Sequence, residues 1–247
     1  MKKMRIAIDI DEILRAKWLQ FDRYYVSEFG GDNLPEEPYT HDYFKHYNWV
    51  NKVEKEKYLK DPEEMPENIN PIDYVVDKNN ESPADFIIFK GEEKKVITAK
   101  ESYNRFMYED YVLEIHGTAP VMYKGLETDL NNFLQKYDFF VDFTIISKEN
   151  WFSIPPTLFF LSKMMCRVNK YVFVDTFKDY WKRGHDLIIT ANPDVISAKP
   201  KTKKHIKLDR PYNMESLDGE IKGLYHLNDL TNNEEFEKLV KFKKRLK

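Results

Sequence analysis

The segment Arg5 to Leu14 (Arg-Ile-Ala-Ile-Asp-Ile-Asp-Glu-Ile-Leu) constrains this chain more than any other stretch. The β-branched run before Asp9 is too short for a helix and reads as a buried strand. It ends in two carboxylates, Asp9 and Asp11, spaced i and i+2. Side chains at that spacing on a strand point the same way. Acids at the C-terminal end of a buried parallel strand lie where open α/β sheets place their chemistry. The rest of such a site has to come from strands far downstream.

The remaining sequence supplies those strands. Trp18, Phe21, Tyr25 and Phe29 recur at helical spacing, and Gly30-Gly31 ends the run. Residues 32–81 are rich in Pro, Asn, Lys and Glu and read as irregular with short helices. Asp85–Lys90 and Lys95–Thr98, around Gly91-Glu92-Glu93, read as a β-hairpin. Helices are expected over Tyr103–Ile115, ending at Gly117, and over Leu126–Tyr137, with Leu126, Leu130, Phe133, Leu134 and Tyr137 on one face. From Phe139 onward strands and helices alternate. Strands are expected at 139–146, 170–174, 186–189 and 205–208, with helices at Pro155–Cys166 and Thr176–Arg183. A final helix is expected after a Thr231/Glu234 capping box, with Phe236, Leu239 and Val240 inward. Such alternation implies an α/β fold with a parallel sheet flanked by helices and a large α+β insertion after the first strand and helix. The expected division is a core of residues 1–31 and 138–247, and an inserted, cap-like or interaction unit of residues 32–137.

Composition narrows the class. In 247 residues, 42% hydrophobic and 15% aromatic content suffice for a core. A net charge of −3 gives no overall pull toward nucleic acid. The basic stretch Lys199, Lys201, Lys203, Lys204, His205 and Lys207 reads first as a solvated loop and only second as a phosphate-backbone contact. A single cysteine, Cys166, fits a reducing compartment. No apolar run approaches ~18 residues, which argues against a membrane span. The opening Met-Lys-Lys-Met-Arg leads straight into the first strand without a signal-peptide core. The six histidines show no metal-ligand spacing, and His41 and His46 are too far apart to pair on one helical face.

Four segments, in order, resemble the haloacid dehalogenase-like (HAD) phosphatases, and within them the 5'(3')-deoxyribonucleotidase-like branch. The first is Asp9-Ile10-Asp11-Glu12-Ile13. The second is Phe143-Thr144-Ile145-Ile146-Ser147, a strand ending in a hydroxyl. The third is a lysine, with Lys178 and Lys182 both candidates. The fourth is Asp186-Leu187-Ile188-Ile189-Thr190-Ala191-Asn192-Pro193. A later Asp209-Arg210-Pro211-Tyr212-Asn213 segment also matches the branch. The resemblance covers the first ~30 residues and then Phe139 to the C-terminus.

The resemblance implies a HAD-like Rossmannoid core in which Asp9 is the nucleophile and Asp11 the general acid/base, with Ser147 and Lys178 on phosphate oxygens and Arg210 and Asn213 on substrate. It implies a Mg²⁺ held by the Asp9 carboxylate, the Asp11 backbone carbonyl and a fourth-segment acid. Thr190 and Ala191 stand where that acid belongs. Without the metal, an incoming phosphate meets unscreened negative charge, and several kcal/mol of transition-state stabilisation are lost. Glu12 adds a further negative charge, which Arg15 and Lys17 partly offset.

Two readings follow. The first is a non-catalytic HAD-fold structural or interaction protein, with a vestigial site and with protein partners or oligomeric assembly through the insert. HAD-like chains of this branch occur in tailed-bacteriophage genomes, so this reading extends to a virion component. The alternative is a Mg²⁺-dependent nucleotide phosphatase using Asp9. The expected location is cytoplasmic, or the virion of a phage-encoded protein.

Overall fold

The computed structural model describes residues 3–31, 34, 47, 85–90, 93–165, 168 and 170–242, with residues 85–99 described through their backbone. The chain divides into two compact units, Met1–Trp18 with Leu113–Lys247, and Leu19–Val112. The expectation from the alternation of strands and helices puts the lines at 31/32 and 137/138. The physical reason for the difference is burial: Leu126, Leu130, Phe133, Leu134 and Tyr137 of helix 126–137 are part of the main core.

The first unit is built on five parallel strands: β1 (Met4–Asp9), β4 (Val141–Lys148), β5 (Tyr171–Val174), β6 (Leu187–Thr190) and β7 (Lys204–Lys207). Their order is β5-β4-β1-β6-β7. The first strand is therefore central, and later strands are added outward on either side, the doubly wound α/β arrangement. In register, Asp9 lies opposite Ile146 of β4, while Ile8 lies opposite Ile189 of β6. Thr190, one residue further along β6, pairs with Lys207 of β7.

The two-residue period of the strands sorts side chains between two cores. On one face Ile6, Ile8, Val141, Phe143, Ile145, Leu187, Ile189 and Ile206 are buried. They meet α3 (Leu126–Tyr137), α4 (Ile154–Lys163) and α7 (Glu234–Phe242) through Leu130, Phe133, Phe160, Phe236 and Val240. On the other face Ala7, Ile146 and Ile188 pack with Tyr180 and Trp181 of α5 (Asp179–Lys182) and Val195 of α6 (Pro193–Ser197). Asp9 follows Ala7 onto this second face.

The second unit contains most of α1 (Lys17–Phe29), the antiparallel hairpin of β2 (Asp85–Lys90) and β3 (Glu93–Thr98), and α2 (Ala99–Arg105). The hairpin agrees with its sequence signal. Phe21, Tyr25, Phe29, Tyr47 and Phe106 form an aromatic cluster in which Tyr47 stands 4.7 Å from Tyr25 and 5.0 Å from Phe21, centroid to centroid. The irregular reading of residues 32–81, apart from Leu34 and Tyr47, lies outside the described residues, as do Cys166 and the histidines at 41 and 46.

Two local expectations need correction. The helix read as Tyr103–Ile115 is divided: α2 ends at Arg105, and wider π-helical turns follow at Phe106–Asp110 and Leu113–Gly117. The last helix is not capped by Thr231. Asn233 Oδ1 accepts the Phe236 N–H at 2.9 Å, while Thr231 ends the preceding 3₁₀ turn Leu227–Leu230. A side-chain oxygen next to the helix start reaches the first-turn N–H groups, and a residue two positions earlier does not.

Candidate functional site

The site gathers at the C-terminal ends of β1, β4 and β6. Asp9 is 2% exposed, and both of its carboxylate oxygens are engaged. Oδ1 accepts the Tyr180 hydroxyl at 2.9 Å and the Ile10 N–H at 3.0 Å. Oδ2 accepts the Thr190 hydroxyl at 2.7 Å. Thr190 is held in place in turn, because its oxygen accepts the Asn192 N–H at 3.0 Å. Burial and the neighbouring Asp11 charge push the Asp9 carboxyl up to about 7, against the pull of the two hydroxyls and Lys17. The shift favours the protonated form, which is a poor nucleophile.

Asp11 sits in a different environment. After Asp9 the chain turns tightly: the Ile10 carbonyl accepts the N–H groups of Ile13, Leu14 and Arg15, and Glu12 takes φ +60°. This turn brings Arg15 back onto Asp11. Arg15 Nε and Nη2 donate to Asp11 Oδ1 at 2.8 and 2.5 Å, and Lys17 Nζ donates to Oδ2. The other Arg15 donors reach the His116 carbonyl, the Thr157 hydroxyl and Glu149 Oε1, each at 2.8 Å. Guanidinium offers five N–H donors, and all five are used here. Burial alone would raise the Asp11 and Glu149 carboxyls; the adjoining Arg15 guanidinium outweighs it and holds both below their usual range. Burial pushes the His116 imidazole down, so it is neutral at pH 7 beside Glu149, with Nδ1 3.3 Å from Oε2.

Among the residues expected at the site, Asp9 and Thr190 meet directly. Ser147 is buried one residue past the Asp9 partner on β4, and its hydroxyl donates to Glu149 at 2.9 Å. Lys178 is exposed at the start of α5, and Lys182 is exposed and paired with Asp179 at 2.8 Å. The side chain that this segment places on Asp9 is that of Tyr180. Ala191 is buried in the main core, and its carbonyl accepts Asn213 Nδ2 at 2.8 Å.

The Asp209–Asn213 segment braces the backbone. Asn213 Nδ2 also donates to the Leu208 carbonyl at 2.9 Å. Arg210 Nη2 donates to the Glu12 carbonyl at 2.6 Å, and Nη1 donates to the carbonyls of Asp209 and Tyr225. Arg210 thereby secures the left-handed residue of the acidic turn, a conformation that is costly without support. In the basic stretch, Lys199 and Lys203 donate to backbone carbonyls, Lys204 pairs with Glu220, and Lys207 is buried 3.4 Å from Asp209. These contacts are local bracing of the loop.

Several central residues escape a sequence reading. Glu149 had a signal, a carboxylate just beyond the strand end. Tyr180 lay between the two candidate lysines. His116 and Thr157 had none.

The donor set does not fit the Mg²⁺ that the resemblance implies. Mg²⁺ requires near-octahedral oxygen ligation with deprotonated carboxylates. Asp9 already accepts three hydrogen bonds, no acid stands at Thr190 or Ala191, and Thr190 supplies a neutral hydroxyl already committed to Asp9. Among the described residues no group of three His, Cys, Asp or Glu side chains is arranged to hold a metal. Nor is any described helix long and apolar enough to cross a membrane.

No family model and no curated protein matches the chain. Among solved structures it is similar to a haloacid dehalogenase-like hydrolase of Burkholderia xenovorans, at 9% identity over 96% of this chain and 99% of that one, with TM-score 0.49. It is also similar to a 2-haloacid dehalogenase of Pseudomonas syringae, at 11% identity over 96% of this chain and 100% of that one, with TM-score 0.38. These likenesses concern the course of the chain and say nothing of activity.

Proposed function

We propose that this chain is a non-catalytic protein on a HAD-like fold, serving a structural or interaction role. One observation carries the reading: the carboxylate oxygens that would do chemistry are already engaged from within. Asp9 is capped by Thr190, Tyr180 and the Ile10 N–H, and Asp11 by Arg15 and Lys17. An attacking carboxylate has to be ionised and open to the phosphorus, and Asp9 is neither fully ionised nor exposed. The resemblance to phage-borne chains extends the proposal to a virion component, with partners engaged through the inserted unit.

The competing reading, a Mg²⁺-dependent nucleotide phosphatase, requires Asp9 to shed its hydroxyl partners and a metal to bind without a fourth acid. The discriminating experiment is phosphate release from nucleotides and simple phosphate esters, with and without Mg²⁺, alongside Asp9→Asn. The expected result is no release above the variant. Mg²⁺-dependent release that disappears in Asp9→Asn would establish the phosphatase instead.

A further inference from the structure

Several of the apolar side chains that the first unit leaves in solvent cluster in sequence around α4. Trp151 and Phe152 lie in the turn before α4, Leu158 and Phe159 lie on that helix, and Met165 lies just past its end. Within the helix, the exposed positions 155, 158/159 and 162 follow the i, i+3/i+4 spacing that lines one side. The opposite side of α4 carries Pro156, Thr157, Phe160 and Leu161 and is buried. Gly117 links the stripe to Leu113: a Cβ there would stand 2.9 Å from Leu113 Cδ1 and 3.4 Å from Phe159 Cδ1.

The exposed fractions are large: 81% for Trp151 and Met165, 59% for Phe152, 48% for Phe159 and Leu113, and 44% for Leu158. With side chains of ~150–250 Å² for the aromatics and somewhat less for Leu and Met, these fractions add to roughly 700 Å² of apolar surface. Isolated exposed apolar residues need no explanation, but this much exposed apolar surface on and beside one helix points to an interaction surface.

We propose that this face is a homodimer interface in which two copies of α4 pack across a two-fold axis. Three observations favour a second copy as the occupant. The area approaches the ~800 Å² per partner that a standard stable interface buries. The composition of Trp, Phe, Leu and Met is that of the core of a homodimer interface, where charge is depleted. From Trp151 to Met165 the exposed side chains carry a single charge, Lys163, whose Nζ lies over the Phe159 ring at 4.9 Å and lends no pattern for a charged partner. A two-fold axis sets the same patch against itself, so an apolar stripe with a single charge is close to self-complementary. The inference stands apart from the question of catalysis and would hold equally for an active phosphatase.

The test is sedimentation equilibrium or light scattering of the full chain from ~1 to ~100 µM. The expected result is a wild-type mass that rises with concentration across this range to twice the 29.7 kDa chain mass. Phe159→Glu, an exposed change that places two unpaired charges in the interface, should weaken the dimer at least ~100-fold. A second readout guards against misfolding of that variant: wild-type tryptophan emission should shift blue with rising concentration, and Trp151→Phe should abolish the shift. A 29.7 kDa particle at ~100 µM, or a dimer that persists in folded Phe159→Glu, would overturn the proposal. So would emission independent of concentration.

Discussion

Replacing Arg15 by Met tests whether the buried charge network holds the site together. Arg15 is fully buried and donates to Asp11, Glu149, Thr157 and the His116 carbonyl. Methionine fills much of the aliphatic stem but restores none of the five donors. Asp11 keeps Lys17 and has some access to solvent, so its share of the loss is modest. Glu149 is fully enclosed, and only the Ser147 and Thr157 hydroxyls and neutral His116 would remain beside it. Breaking a buried pair on one side costs about 3–5 kcal/mol. We therefore expect a loss of ~4 kcal/mol at pH 7, a fall in Tm of about 10–15 °C for a chain of this size. The pH dependence gives a second check. In the wild type Asp11 and Glu149 have depressed pKa values, so their contribution is present above the ordinary carboxylate range and is lost only as pH falls through the folded values. Without Arg15, burial dominates and Glu149 takes up a proton. The deficit should therefore be smaller at pH 4 than at pH 7. Urea denaturation at both pH values, with Arg15→Met/Glu149→Leu closing a double-mutant cycle, measures it. A loss below ~1 kcal/mol at pH 7, or an equal loss at both pH values, would refute the reasoning.

Three further outcomes follow from the same geometry. Asp9, raised to about 7, favours the folded state at pH below about 4 and loses that contribution as pH rises to about 7. Asp9→Asn should therefore match the wild type near pH 4 and be more stable by about 1–4 kcal/mol at pH 8, read by denaturant titration; Glu12, also raised to about 7, adds its own slope in the same sense. Thr190→Asp puts a second carboxylate against Asp9 at the place of the missing acid; its Tm should fall by several degrees without divalent metal and recover in millimolar Mg²⁺, whereas the wild-type Tm should not respond to the ion. Asn213→Ala strips the donors from the buried Ala191 and Leu208 carbonyls and should cost about 2–3 kcal/mol in chemical denaturation, more than a surface substrate-binding residue would.

The sequence alone made the parallel core legible, because strands alternate side chains with period 2 and helices with period 3.6. Ile6, Ile8, Val141, Phe143, Ile145 and Leu187–Ile189 announce themselves as buried strands, and Leu126 to Tyr137 as a one-sided helix. Asp9 and Asp11 were visible for the same reason, as acids closing an apolar strand, and so was the lack of an acid at Thr190 and Ala191. The tertiary structure alone decided what those acids touch. Residue 9 meets residues 180 and 190, and residue 15 meets residue 149, only once β1, β4 and β6 lie side by side, and no local pattern encodes a contact across more than a hundred residues. Hence Tyr180, which lies between the two candidate lysines, reaches Asp9, Glu149 takes up the Ser147 hydroxyl, and Arg210 and Asn213 brace the backbone. Local chemistry sets which element forms; which carboxylate stays charged is set by burial and by partners that only the assembled sheet brings within reach.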